Sequence, residues 1–149
     1  MNNNDAISRV LRQKGDEIWS VAPDMTVYDA LEIMADREIG ALLVLEGGRL
    51  AGVISERDYA RKVILQGRSS RDTAVGDIMT QGVVTVTPSH TVDECMKLMT
   101  ELRVRHLPVT EGSQIAGVVS LGDLVKYVIT AQQEEIQHLQ AYIAGAYPI

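Results

Sequence analysis

The chain has 149 residues, a formal charge of −6, 46% apolar and 23% charged residues, and no phenylalanine. That is enough chain for one ordinary domain with a core of Val, Ile, Leu, Met and Ala, and its acidity argues against a nucleic-acid backbone as main partner, because such binding needs Lys and Arg against phosphates. No apolar run approaches the roughly 18 residues of a membrane helix, the start lacks a signal-peptide pattern, and the single Cys95 can form no internal disulfide, so a cytoplasmic protein without membrane contact is expected.

In chain order, Asn4 or Asp5 is expected to cap a short helix carrying Ile7, Val10 and Leu11 that stops at Lys14 and Gly15. A strand at 18–22 ends at Pro23, and Asp24 or Thr26 opens a helix with Val27, Ala30, Leu31 and Met34 at helical spacing. Strands at 41–45 and 50–54 flank a Gly47-Gly48 turn, and a helix from Glu56 to about Leu65 closes at Gly67. The polar run 68–72 separates this β-α-β-β-α unit from the second half of the chain. Residues 75–79 then lead to a strand at 83–86 and a helix with Val92, Cys95, Met96 and Met99, whose apolar stripe makes Cys95 a buried structural thiol. Strands at 106–109 and 115–119 around Glu111-Gly112 and a helix from Leu121 that runs on past Thr130 complete the chain.

The two units are copies. Sliding 18–64 onto 83–129 needs no gap and gives 16 identities in 47 positions, where chance at average composition gives about three. The strongest echo is Gly-Val-Ile-Ser-Glu-Arg-Asp at 52–58, which returns as Gly-Val-Val-Ser-Leu-Gly-Asp at 117–123. The fold class is therefore α+β, two repeats packed on each other into one compact body. The expected divisions are an entry helix at 1–15, repeats at 16–72 and 73–130, and a C-terminal helix at 131–149. Ile129, Ile136 and Ile143 recur every seven residues, with Leu139 beside them, on a helix that is otherwise Gln and Glu; such a stripe meets another subunit or folds back on its own domain.

Ser-x-x-Asp between a strand and a helix is a capping box, and capping alone would justify Ser55, Asp58, Ser120 and Asp123. Three features point further. Gly52 and Gly117 leave room for a close approach, and a helix start suits phosphate. The copies also differ where they are most chemical: Gly40-Ala41-Leu42-Leu43 becomes Arg105-His106-Leu107-Pro108, and Ser-Glu-Arg-Asp becomes Ser-Leu-Gly-Asp. Core packing gives no reason for those exchanges, whereas two related clefts of different chemistry do. Arg61-Lys62 and Arg68 with Arg71 read as solvated faces. Three scattered histidines without Cys or His at ligand spacing argue against a metal, and no nucleophile is tied to His106 by motif.

The paired Gly-x-x-Ser-x-x-Asp, Arg-His-Leu-Pro-Val at 105–109, Ile-Met-Thr at 78–80, Ser-Glu-Arg-Asp-Tyr at 55–59 and Tyr-Ile-Ala-Gly at 142–145 resemble tandem CBS domains, named after cystathionine β-synthase, of the stand-alone bacterial kind. The resemblance spans roughly 12–130. It implies repeats related by pseudo-two-fold symmetry and two clefts for adenosine-containing ligands such as AMP, ADP, ATP, NAD(H) or S-adenosylmethionine. Cleft one would combine Ser55, Glu56, Arg57 and Asp58 with Arg105, His106 and Pro108 and the backbone near Thr80 and Val83. Cleft two would combine Ser120, Gly122 and Asp123 with Gly40, Ala41 and Leu42 and the backbone from Asp16 to Trp19. An ionised Asp can accept from both ribose hydroxyls, while Arg57, Arg105 and a protonated His106 would make cleft one the stronger phosphate site; cleft two has no side-chain cation in its matching positions. The resemblance implies a nucleotide sensor rather than an enzyme, a homodimer, and an unidentified regulated protein. A ligand-free dimerisation module is the alternative, and an enzyme acting on nucleotides the third reading.

Overall fold

The computed structural model describes residues 3–15 and 18–144; Asp16 and Gly145 lie outside the described residues. In chain order it contains α1 (Ile7–Lys14), β1 (Ser20–Val21), α2 (Val27–Arg37), β2 (Ala41–Glu46), β3 (Arg49–Ser55), α3 (Glu56–Lys62), a 3-10 turn (Ile64–Gln66), α4 (Val75–Ile78), α5 (Val92–Leu102), β4 (His106–Glu111), β5 (Gln114–Ser120) and α6 (Leu121–Ile143). The class is α+β, as the sequence predicts.

Each repeat is organised on a hairpin. Gly47 and Gly48 both take positive φ, 60° and 79°, the conformation a two-residue turn needs if its twist is to match the strands. The hairpins share register, Ala41 opposite Ser55 in one and His106 opposite Ser120 in the other, with the same irregularity after Val44 and Val109. Glu38 and Arg103, which end α2 and α5, are both left-handed. These coincidences all sit 65 residues apart, so the repeat extends to backbone detail.

The sheets differ by one strand. β1 pairs in parallel with β2, and Leu43 donates its backbone N–H to Trp19. The strand expected at 83–86 does not form; only Val86 bridges β4, beside Val109. The counterpart of Leu43 is Pro108, which has no N–H to give, so the ladder cannot extend back to Val84. Val84 is left 42% exposed.

Two cores lie under these sheets. Val21, Val27, Ala30, Met34, Leu42, Val44, Ile54 and Val63 form one, and Val86, Val92, Cys95, Met99, Leu107, Val109, Val119 and Leu124 the other. The lead-in helices are exchanged. Ile7 and Val10 of α1 are buried in the second core, and Val75 and Ile78 of α4 in the first. The same backbone bond docks each, Asp5 O accepting from Val92 N at 2.9 Å and Thr73 O from Val27 N at 2.8 Å. Asp5 consequently does not cap α1, nor does Asn4: Ala6 holds that position without a side-chain bond, while the Asp5 carboxylate accepts from the Tyr127 hydroxyl. Thr26 rather than Asp24 caps α2, and α3 ends at Lys62, with Gly67 closing the 3-10 turn beyond it. Burial, followed by the charge of Glu94, pushes the Cys95 thiol up to about 11, so it packs as a small apolar residue.

The repeated glycines carry unequal loads. A Cβ on Gly52 would lie 2.6 Å from the Thr80 carbonyl oxygen, whereas one on Gly117 would lie 2.8 Å from Cδ2 of Leu11. Backbone cannot rotate away and a leucine methyl can. Gly52→Ala is expected to cost about 1–3 kcal/mol and Gly117→Ala distinctly less, read from urea midpoints; equal losses would show that the Thr80 backbone yields as easily as Leu11.

Candidate functional site

Both Ser-x-x-Asp segments form complete capping boxes. Ser55 accepts from Asp58 N at 3.2 Å while Asp58 Oδ2 accepts from Ser55 N at 2.9 Å, and the second copy repeats this with Ser120 and Asp123 at 3.0 and 2.9 Å. The boxes fix where each helix starts and aim a serine and an aspartate into the space beside it. What surrounds that space differs between the copies.

At α3 a cleft of about 670 Å³ opens between the repeats. From the first repeat it takes Gly40, Val53, Ser55, Glu56, Arg57, Asp58, Arg61 and Lys62, from the crossing segment Thr80 and Gly82–Val84, and from the second repeat the run from Leu102 to Leu107. All but one of the residues expected in cleft one meet here: Ser55, Glu56, Arg57, Asp58, Thr80, Val83, Arg105 and His106. Pro108 does not line it; the residue is buried in β4 and Leu107 takes its place. Gly40, expected in cleft two, stands on this wall, where a Cβ would lie 3.9 Å from both Glu56 Oε1 and His106 Cε1.

Asp58 is 8% exposed and held by four donors. Ser55 N and Oγ reach Oδ2 at 2.9 and 3.0 Å, while Thr80 Oγ1 and Lys62 Nζ each reach Oδ1 at 3.0 Å. A carboxylate has about four acceptor positions, so a ribose diol would enter by replacing the Lys62 ammonium or the Thr80 hydroxyl. Lys62 has a 43% exposed side chain, whose ammonium also donates to the Ile78 carbonyl at 2.9 Å. Arg61 and Lys62, expected on a solvated face, are exposed and half-exposed, and both also line the cleft. Their spacing of three and four residues from Asp58 on one helix was the available signal. Arg103 was also missed; its left-handed backbone at the end of α5 is not visible in a sequence.

Cleft one thus carries Arg57, Arg61, Lys62, Arg103 and Arg105 against Glu56 and Asp58. Among the described residues Lys62 is in an ion pair and none of the four arginines is. Burial, then the charges of Lys14 and Arg105, pull the His106 pKa below its ordinary 6.5 against the opposing pull of Asp123. The cleft therefore favours the neutral imidazole, beside four guanidinium groups.

The second site is arranged differently. Lys14 Nζ lies 2.7 Å from Asp123 Oδ2 and 2.9 Å from the Val118 carbonyl oxygen. Burial pushes the Asp123 carboxyl up, but the bonds from Lys14 and Ser120 outweigh it and hold the group below the ordinary range. The matching positions carry no side-chain cation, as expected, but α1 supplies one from outside the repeat. Leu42 is a core residue at 2% exposure, Ala41 pairs with Ser55, and the Trp19 indole lies under the Arg37 guanidinium at 4.0 Å. A second cavity, about 650 Å³, joins Ser120 and Gly122 to Arg105, His106, Val125 and Ile129; Asp123, Ala41 and Leu42 do not line it. Among the described residues no group of His, Cys, Asp and Glu could hold a metal ion, and no helix is long and apolar enough to cross a membrane.

Comparison with known proteins agrees with this architecture. The CBS-domain family model matches twice, at 7–64 and 75–130. The chain is 47% identical to the mitochondrial CBS domain-containing protein CBSX3 of Arabidopsis thaliana over 95% of this chain and 73% of that protein, and 32% identical to YhcV of Bacillus subtilis over 72% and 76%. Among solved structures, a Burkholderia ambifaria protein with CBS domains superposes with a TM-score of 0.83 at 50% identity, covering 86% of this chain and 96% of that one. The CBS pair of protein MJ0100, solved with 5′-methylthioadenosine and S-adenosylmethionine, shares the fold at a TM-score of 0.76 and 20% identity, over 85% and 98%. CBS domains are generally regulatory and non-catalytic. Two matched repeats, exchanged lead-in helices and a cleft between the copies make this chain a member of the CBS-domain family, built as a tandem pair.

Proposed function

We propose that the chain is a regulatory module that binds an adenine nucleotide in the cleft at α3, and that it selects ligands bearing two or more phosphates: ADP, ATP or NAD(H) ahead of AMP. The observation that carries this reading is four arginines, none in an ion pair among the described residues, around a helix start whose serine and aspartate face the same 670 Å³ space. Charge-assisted bonds from guanidinium to phosphate are strong and often bidentate, and the first-turn N–H groups of α3 favour negative charge. The apolar walls, Val83, Val84 and Leu102, suit an adenine face. The ligands of the MJ0100 pair support an adenosine moiety, but S-adenosylmethionine carries a sulfonium cation and no phosphate, a poor match for this rim. The module acts without catalysis; its output is a change in how it associates with a regulated protein, as energy or redox state alters the ligand. The reduced, buried Cys95 fits the cytoplasm or another reducing compartment.

Self-association uses α6. Ile129, Ile136, Leu139 and Ile143 are 48%, 53%, 53% and 83% exposed on one 23-residue helix, an apolar stripe rimmed by polar residues of the kind that marks an interaction surface. A homodimer through this face is expected. Light scattering should report a dimer for the parent and a monomer for Ile136→Glu with Leu139→Glu; a parent monomer would refute the contact.

Thermal unfolding tests the ligand. At 100 times its dissociation constant a ligand adds about 2.7 kcal/mol, a shift of several degrees for a domain of this size. ADP or ATP should give that shift, S-adenosylmethionine and a guanine nucleotide should not, and Arg57→Ala with Arg105→Ala should remove most of it. The absence of any shift in nucleotide-free protein would leave the motifs as helix caps and favour the dimerisation module.

The pH dependence has a definite sign. His106 is depressed in the free protein, and a phosphate beside it favours imidazolium, so binding takes up a proton. Affinity for ADP should rise as pH falls towards the lowered His106 pKa, and His106→Gln should flatten that rise. A flat profile in the parent protein would place the phosphates away from His106.

A further inference from the structure

The repeat relation, applied to side chains, separates the two clefts more sharply than the motifs do. Thr80 is a fixed wall of cleft one: its backbone N–H binds Val53 O at 2.9 Å and its hydroxyl binds Asp58 at 3.0 Å. The counterparts of Val53 and Asp58 are Val118 and Asp123, and both bonds are made there by one ammonium, Lys14 Nζ, at 2.9 and 2.7 Å. The last turn of α1 thus stands where the second copy would otherwise have its own Thr80. Leu11, one turn earlier, is the side chain nearest Gly117. The opening differs in the same way. In cleft one it lies between Val84 and Leu102, 42% and 44% exposed. Their counterparts are Trp19 and Arg37, which stack on each other at 4.0 Å while the indole packs on the first core. The charges follow for three of the four arginines: Arg57, Arg103 and Arg105 correspond to Gly122, Glu38 and Gly40, while Arg61 corresponds to Lys126, which lines the second cavity.

We infer that the chain itself occupies the Asp123 end of the second cleft, which leaves the 650 Å³ cavity beside Ser120 and Gly122 without that carboxylate. Lys14 holds Asp123 and the Trp19–Arg37 stack closes the mouth, so each chain binds one nucleotide, in cleft one. The second copy of the motif then serves as an anchor for α1, and Lys14 with Trp19 sets the stoichiometry. This rests on the nucleotide reading for its ligand, though not for the closure of the second cleft.

The test is calorimetric titration of the intact chain with ADP. The parent should show one site per chain, lost in Arg57→Ala with Arg105→Ala and retained in Asp123→Asn. Lys14→Met with Trp19→Val restores the valine that the other copy carries and should give two sites, the added one disappearing with Asp123→Asn. If that pair fails to fold, as read by circular dichroism, Lys14→Met alone serves, because Ile7 and Val10 still anchor α1; a second, weaker site is expected. Two sites in the parent, a single parental site lost in Asp123→Asn, or one site in the opened protein would each overturn the inference. A parent that binds nothing while the opened protein binds one ADP through Asp123 would uphold the closed cleft and refute the nucleotide reading of cleft one. Silence from both would refute both.

Discussion

The rest of the structure depends on how closely the segment around Thr80 passes strand β3. Val53 and Thr80 exchange two backbone bonds, at 2.9 and 3.0 Å, at the point where Gly52 leaves no room for a Cβ. This contact fixes the path between the repeats. Upstream it holds α4 in the first core through Val75 and Ile78. Downstream it delivers Gly82, Val83 and Val84 to the cleft wall. It also places the Thr80 hydroxyl on Asp58, so the residue that seats the crossover helps orient the carboxylate at the helix start. One missing side chain therefore couples the packing of two cores to the geometry of the site.

Capping and ligand recognition are often set against each other as explanations of a Ser-x-x-Asp segment, yet the proposed function makes them successive uses of the same atoms. The box satisfies first-turn N–H groups that would otherwise lack partners and makes the start of α3 rigid. A rigid start with its serine and aspartate turned inward is what a binding surface needs. Both copies have the box, so it cannot tell them apart. The difference comes from the elements that face it: the Leu102–Leu107 run in one case, α1 in the other.

That division explains what could be read from the sequence. Hairpins, helix faces and both boxes follow from local patterns, Gly47-Gly48, Val27 to Met34 and Ser55 with Asp58, and they appear where expected. The strand at 83–86 failed through a long-range effect: Pro108 looks harmless in a buried β run, and only the parallel pairing reveals that its absent N–H is the one Val84 would need. The exchange of lead-in helices was equally hidden. Val75 and Ile7 show apolar spacing but not whose core they enter. Gly40 lines cleft one rather than cleft two, where it was expected, because it lies next to Glu56 and His106. Lys14 had no signal at all, since nothing near it in sequence relates it to Asp123, 109 residues away.

The acidic balance of the chain does not oppose a polyphosphate in cleft one. At physiological ionic strength a charge is felt over about 8 Å, so carboxylates on the far faces of α2 and α6 contribute little inside the cleft. What a phosphate meets there is Arg57, Arg61, Arg103 and Arg105, with Glu56 as the acid not already bonded in the cap. These arginines repel one another in the empty cleft, and nothing in the core requires them together. Under the proposed function, a ligand that neutralises them removes that repulsion while making its own bonds, which favours the most highly charged ligand. Charge of this kind is costly as scaffold and useful as recognition, which is why the exchange of Gly40 for Arg105 and of Gly122 for Arg57 carries more functional meaning than the identities that first revealed the repeat.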